Sequence, residues 1–167
     1  MLHLSNPDGR SNRDVLRPWM NGQDLYGASR GMWIIDFGPK MSQAAAALYE
    51  APYEHARVRV RPVHKTNPKR VGTWWRHERP RPEMRAAILD QSRIIATVRH
   101  SKHRIWAWIS PEVLPDSALV VVARADDYTF GVLHSRIHEL WARATGTQVR
   151  DVESGFRYTP TSEPHWV

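Results

Sequence analysis

No cysteine occurs anywhere in the 167 residues. That absence excludes a disulfide framework, a thiolate nucleophile and a cysteine-ligated zinc site. No apolar run approaches the roughly 18 residues needed to span a bilayer, and the opening MLHLSNPDGR lacks the apolar stretch of a signal peptide. The expectation is a soluble cytoplasmic protein with no membrane partner. No glycine-rich phosphate or cofactor loop is present, and no GxSxG surrounds Ser135 or Ser154. Asp126-Asp127 reads as a helix cap rather than an acid/base couple. No catalytic centre is legible.

Lysine is scarce too. Of 24 basic residues only Lys40, Lys65, Lys69 and Lys102 are lysine; the other 20 are arginine. The planar guanidinium fork suits bidentate recognition of phosphate and guanine, which a merely soluble basic surface does not need. The excess is also localised: residues 55–104 carry 14 bases and 3 acids, a balance of +11, whereas the remainder carries 10 bases and 14 acids, or −4. An arginine-favouring genome accounts for the choice of arginine but not for the clustering, which points to a polyanionic partner.

At this length one domain with a real core is expected. Residues 1–30 hold the turn formers NPDG, NG and GASRG and predict an irregular lead-in, with a short helix after Ser11 and Asp14 at capping-box distance. MWIIDF (32–37) predicts a buried strand, and Ser42 caps a helix over QAAAALYEA. After Pro52, YEHARVRVRP fits either a helix or an alternating strand. Pro80 and Pro82 bracket the start of a helix over EMRAAILD. ALVVVA (118–123) predicts another buried strand. Asp126-Asp127 then opens a helix with Phe130, Leu133, Ile137, Leu140, Trp141 and Ala144 on one stripe and Gly146 as its stop. An extended tail covers 150–167. Strands and helices mix without a βαβ repeat, so the fold class is α+β, a single domain with a mixed or antiparallel sheet flanked by helices.

RIIATVRHSKHRIWAWI (93–109) predicts a hairpin turning at Ser101 and Lys102. One face pairs Ile94 with Ile109, Ala96 with Ala107 and Val98 with Ile105. The other pairs Ile95 with Trp108, Thr97 with Trp106 and Arg99 with Arg104, the last a like-charge pairing that costs stability unless an anion lies between. Arg93, Arg99, Lys102 and Arg104, interleaved with His100, His103, Trp106 and Trp108, suit a nucleic-acid surface of phosphate-binding guanidinium groups and packing rings. The tryptophans equally suit a second core layer under a covering helix, with the arginines snorkelling at its rim, whereas the pairing penalty favours an anion-binding role for Arg99 and Arg104.

Two other features invite chemistry. Trp74-Trp75 lies in an arginine-rich stretch, where adjacent aromatics usually place one ring in the core and the other at its edge. His134 and His138 stand at i, i+4, but in the HExxH pattern of zincins a glutamate follows the first histidine, where this chain has Ser135. No metal site is expected from that spacing.

Several stretches together resemble one family: NPDGRSNRDVLRPWMNG (6–22), GMWIIDFG (31–38), ALYEAPYEHARVRVRP, WWRHERPRPEMRAAI (74–88), the hairpin, PDSALVVVARADDYTFGVLHSRIHELWA (115–142) and FRYTPTS. They are similar, in order and over nearly the whole chain, to the target recognition domain of MmeI-type enzymes, the large fused adenine-specific DNA methyltransferases of restriction-modification systems. The resemblance implies a target-recognition-domain-like fold over 1–167 and a role in DNA methylation: recognition of double-stranded DNA on behalf of a separate methyltransferase catalytic domain.

In that family the methyl donor is S-adenosylmethionine, and methyl transfer uses a glycine-rich cofactor motif and an Asn-Pro-Pro-aromatic motif. Neither is here; NPDG at 6–9 lacks the second proline and the aromatic. The chain is therefore expected to be no enzyme and to hold no cofactor, S-adenosylmethionine belonging to the implied catalytic domain. The resemblance places base readers in RDVESGFRYTP, which offers Arg150, Asp151, Glu153 and Arg157. Glu153 would accept from a cytosine amine, and Arg150 or Arg157 would take guanine, the alternative, favoured for Arg157, being that Arg157 and Tyr158 are structural. Gly155 falls where a polar reader is expected. Contacts to the DNA backbone would fall to Arg76, Arg79, Arg81, Arg93, Arg99, Lys102 and Arg104. Family members usually continue past RYTPT, so a chain closing on SEPHWV is expected to be truncated, shifted in frame or an isolated fragment. Two rivals stand beside this reading: a metal-dependent nuclease or hydrolase built on His134 and His138, and an interaction remnant that binds no nucleic acid.

Overall fold

The structure is a computed structural model that describes residues 1–148 and 156–158. The elements run β1 (Leu16–Met20), α1 (Gly22–Tyr26), β2 (Trp33–Ile35), α2 (Gln43–Ala47), α3 (Glu50–Arg59), α4 (Pro82–Ile88), β3 (Ile94–Val98), β4 (His100–Ser101), β5 (Ala107–Ile109), β6 (Leu114–Pro115), β7 (Leu119–Val122), α5 (Asp127–His134), α6 (Arg136–Thr145), β8 (Thr147–Gln148) and β9 (Phe156–Arg157), with 3-10 turns at Asn12–Asp14 and Arg61–His64. This is the α+β class read from the sequence. No helix among the described residues is long and apolar enough to cross a membrane. The chain forms two compact units, one of Met1–Pro18 with Trp33–Glu83, the other of Trp19–Met32 with the described residues from Met84 onward.

In the first unit, Leu16, Arg17 and Pro18 pair antiparallel with Ile35, Ile34 and Trp33. Trp33 remains 46% exposed, so β2 is a half-covered strand and not the buried one expected from MWIIDF. The core gathers Val15, Phe37, Ala46, Tyr49, Ala56 and Trp74, with Ile35, Met41, Tyr53 and Trp75 at its margin. RVRVR lies at the end and just beyond α3 and not on a strand, because the helix meets the core through Pro52, Tyr53 and Ala56 and leaves Val58 and Val60 outside.

The lead-in is less irregular than its turn formers suggest. Ser11 accepts from the Arg13 amide to cap a single 3-10 turn, while Asp14 accepts from the Tyr49 hydroxyl in place of closing a capping box. Asn12, fully buried, donates to the carbonyls of Met1 and Leu4 and accepts from Asn6 at 2.9 Å. Asn6 in turn accepts from the amide of Glu50 at 3.1 Å. Tyr49 precedes α3 without a side-chain cap of its own, so a residue 44 positions away satisfies one of the orphan amides of that helix.

The second unit centres on a sheet in the order β5-β3-β7. Ile94, Ile95 and Ala96 pair with Ile109, Trp108 and Ala107, the register expected of the hairpin, while Ile95–Val98 pair with Val122–Leu119 on the other side. β3 is buried throughout. Ile95, Val120 and Val122 pack on one face with Trp106, Ala142, Phe156 and Tyr158, joined by Trp108, Phe130 and Leu133. Ile94, Ala96 and Ile109 pack on the other with Ile88, Met20, Leu25, Val121 and Ala123. Trp19 and Met20 run parallel to β6.

The expected single helix after Asp126 is two. Asp126 caps the first, and Ser135, in extended geometry, ends α5 and caps α6 by accepting from the His138 amide. The turn in direction takes Ile137 and Leu140 off the core stripe, leaving them 81% and 54% exposed.

Candidate nucleic-acid interface

Seven bases and no acid lie between Glu54 and Glu78: Arg57, Arg59, Arg61, Lys65, Lys69, Arg70 and Arg76. All belong to the first unit. Arg57 and Arg59 occupy the last turn of α3, where the helix dipole favours cations. Arg57 is paired with Glu54 at 2.7 Å, Arg61 lies over the Trp74 ring, and Arg59, Lys65 and Lys69 are exposed. The segment then winds inward. The Asn67 carbonyl accepts from the amides of Arg70 and Val71, its side chain accepts from Lys69, and Thr73 and Arg76 close two further turns. These turns deliver Trp74 to the core, 3% exposed, with Trp75 at the edge donating to the Met41 carbonyl.

Of the backbone contacts expected here, Arg76 is largely committed to its own chain, donating from Nε to Met41 and from Nη2 to Lys40 while lying 5.2 Å over Trp75. Arg79 and Arg81 are exposed. Arg81, between two prolines, has φ +51°, a left-handed conformation that few residues with a side chain adopt.

The hairpin belongs to the second unit. Its ladder with β5 ends at Ala96 and Ala107, so Arg99 and Arg104 never face each other across it. Arg99 instead donates its amide to Ala118 and accepts from the Tyr158 amide. Arg104 turns inward: Nη1 donates to the Val98 carbonyl at 2.6 Å, Nη2 to that of Phe156 at 3.3 Å, and the group lies 4.6 and 4.8 Å from the centres of the Phe156 and Tyr158 rings. Carbonyl oxygens and ring faces thus supply negative potential to Arg104. Arg93 donates to the Ala125 carbonyl and to Asp127, and stacks 3.8 Å over Trp108. Lys102 and His103 are exposed at the tip.

The same tip receives β9, with His100 opposite Arg157 and Ser101 opposite Phe156. Arg157 is exposed. Burial holds the His100 imidazole below its ordinary pKa, and the positive charges of Arg157, Arg99 and Arg104 add to the effect. Arg99 and Arg104, two of the residues expected to contact the DNA backbone, and Arg157, one of those expected to read bases, therefore share one positive locality. Arg150, Asp151, Glu153 and the tail beyond 158 lie outside the described residues.

The tryptophans of the hairpin serve the core. Trp106 is 3% exposed, and Trp108 stacks on Phe130 at 4.7 Å. The histidine pair is split by the break at Ser135. His134 engages the Trp106 carbonyl, while His138 engages the Leu133 carbonyl through Nδ1 and the Tyr158 hydroxyl through Nε2. Burial lowers the His138 pKa. No group of three His, Cys, Asp or Glu side chains suited to a metal occurs among the described residues. Two burials escape the sequence reading, those of Asn6 and Arg70. Both residues look like ordinary loop positions, and only the tertiary fold buries them.

No family model, curated protein or solved structure matches the chain.

Proposed function

We propose that this chain is a double-stranded DNA recognition module acting for a separate S-adenosylmethionine-dependent adenine methyltransferase domain. The observation that carries the reading is the pairing of β4 with β9, which gathers Arg99, Arg104 and exposed Arg157 around His100 beside exposed Lys102. A cluster of cations at an exposed hairpin end is an electrostatic footprint for phosphates, and an exposed arginine within it has the donors to take a guanine edge. The acid-free run from residue 55 to 77 adds a second cationic stretch. The sequence resemblance supplies the methyltransferase context.

Selection of bound duplexes from a random pool tests this, first with the chain alone and then fused to a methyltransferase domain. Enrichment of one motif is expected. Arg157→Ala should relax the preference at one base pair by about 1–3 kcal/mol, and a pool that never departs from random composition would reject the proposal.

One observation favours a second reading, a protein-interaction module. Tyr128 and Val132 on α5 and Ile137 and Leu140 on α6 are between 44% and 81% exposed. Such a module would show no preference for any duplex over heparin.

A further inference from the structure

The buried cation of the first unit lacks a counter-charge. Arg70 retains 9% of its surface; its Nη2 donates to the Arg76 carbonyl, and its enclosed Nε has no hydrogen-bond partner. No carboxylate pairs with it among the described residues. Other arginines of the chain show what a structural guanidinium does. Arg30 places Nε and Nη2 on the two oxygens of Asp24, and Arg76 spends Nε and Nη2 on the Met41 and Lys40 carbonyls. Arg70, the only buried arginine among the described residues, engages one of five donors.

A buried guanidinium without a partner is costly, and a bound ion is one of the things that accounts for a buried polar group left unsatisfied. Its own segment cannot supply the missing charge, since no acid occurs from residue 55 to 77. Lys69 precedes Arg70 on the turn ordered by Asn67, and Lys65 lies on the approach to that turn; both are exposed. We infer that Arg70 is the anchor of an oxyanion site that takes a phosphate group, with exposed Lys65 and Lys69 on the same segment. The guanidinium fork matches phosphate oxygens bidentately, and several cations on one short segment favour a multiply charged anion over a carboxylate. The phosphate comes either from a nucleic-acid backbone or from a small phosphate compound. The site belongs to the first unit and does not rest on the DNA reading.

The test uses the full chain with its arginine side chains labelled with nitrogen-15. Inorganic phosphate is titrated at constant ionic strength against chloride, and a short DNA duplex is titrated in parallel. The Arg70 Nε–H resonance is expected to shift and saturate with phosphate, and phosphate is expected to raise Tm. Arg70→Lys keeps the charge but loses Nε and the fork, and should cut the rise in Tm at least threefold. If that variant does not fold, the resonance of the unaltered chain decides. A shift with both titrants assigns the site to a backbone phosphate, and a shift with inorganic phosphate alone assigns it to a small phosphate compound. An unmoved resonance, or an equal rise in Tm in Arg70→Lys, overturns the site. Duplex binding that persists beside an unmoved resonance would overturn it while leaving the DNA reading intact.

Discussion

His100 lies opposite Arg157, 57 positions further along the chain, so the hairpin end and β9 form a single surface feature. Backbone pairing at two positions holds this junction together, and Arg104 reinforces it by donating across to the Phe156 carbonyl. The positive locality thus has a structural keystone and an exposed rim, which mutation should separate.

Arg104→Met should destabilise the second unit by about 1–3 kcal/mol, because it leaves the Val98 and Phe156 carbonyls short of a donor. Lys102→Ala should change stability by no more than about 0.5 kcal/mol yet reduce the salt slope of duplex binding by about 1. Urea unfolding and binding isotherms on the two variants check this. Equal stability losses would show that the division between keystone and rim is wrong.

Gly146 is required for room and not for backbone freedom, its φ being −71°. A Cβ there would stand 2.6 Å from the Ala142 carbonyl oxygen, 3.0 Å from that of Arg157 and 3.1 Å from the Phe156 ring. Gly146→Ala should therefore push β9 off the hairpin end at a cost of about 1–3 kcal/mol. Faster amide exchange at Tyr158, whose amide donates to Arg99, is the expected sign; unchanged exchange would contradict it.

Acid should weaken the second unit through Asp24. Its carboxylate accepts from both nitrogens of the Arg30 fork and closes a capping box with the Asn21 amide, which hold its pKa far below the usual carboxylate range. A depressed folded pKa contributes stability that is present above the unfolded value, about 3.9, and is lost as pH falls below it toward the folded one. Asp24→Asn should lower stability at neutral pH and flatten its fall with acid below about pH 4. An unaltered acid limb in the variant would refute this assignment.

What the sequence revealed follows from the range of the forces involved. The hairpin register was legible because alternating apolar residues from Ile94 to Ile109 repeat with the period of a pleat. Caps at Ser42 and Asp126 were legible because their partners lie three residues away. The break at Ser135 was hidden by an apolar stripe that keeps its helical phase through it. The like-charge face was an extrapolation of the ladder past its end. What relieves it, the Phe156 carbonyl and two aromatic rings, arrives from 52 and 54 positions away. Asn6 and Arg70 were illegible for the same reason, since burial of a polar loop residue is decided by what packs over it.

The salt dependence of duplex binding tests the central claim most directly. With Arg99 and Lys102 engaging phosphates and Arg157 a base edge, log K should fall linearly with log salt, with a slope of about −0.9 for each phosphate neutralised, so at least about −1.8 for two contacts. The slope should become shallower in Lys102→Ala. A slope near zero, or binding to heparin as tight as to any duplex, would contradict the account.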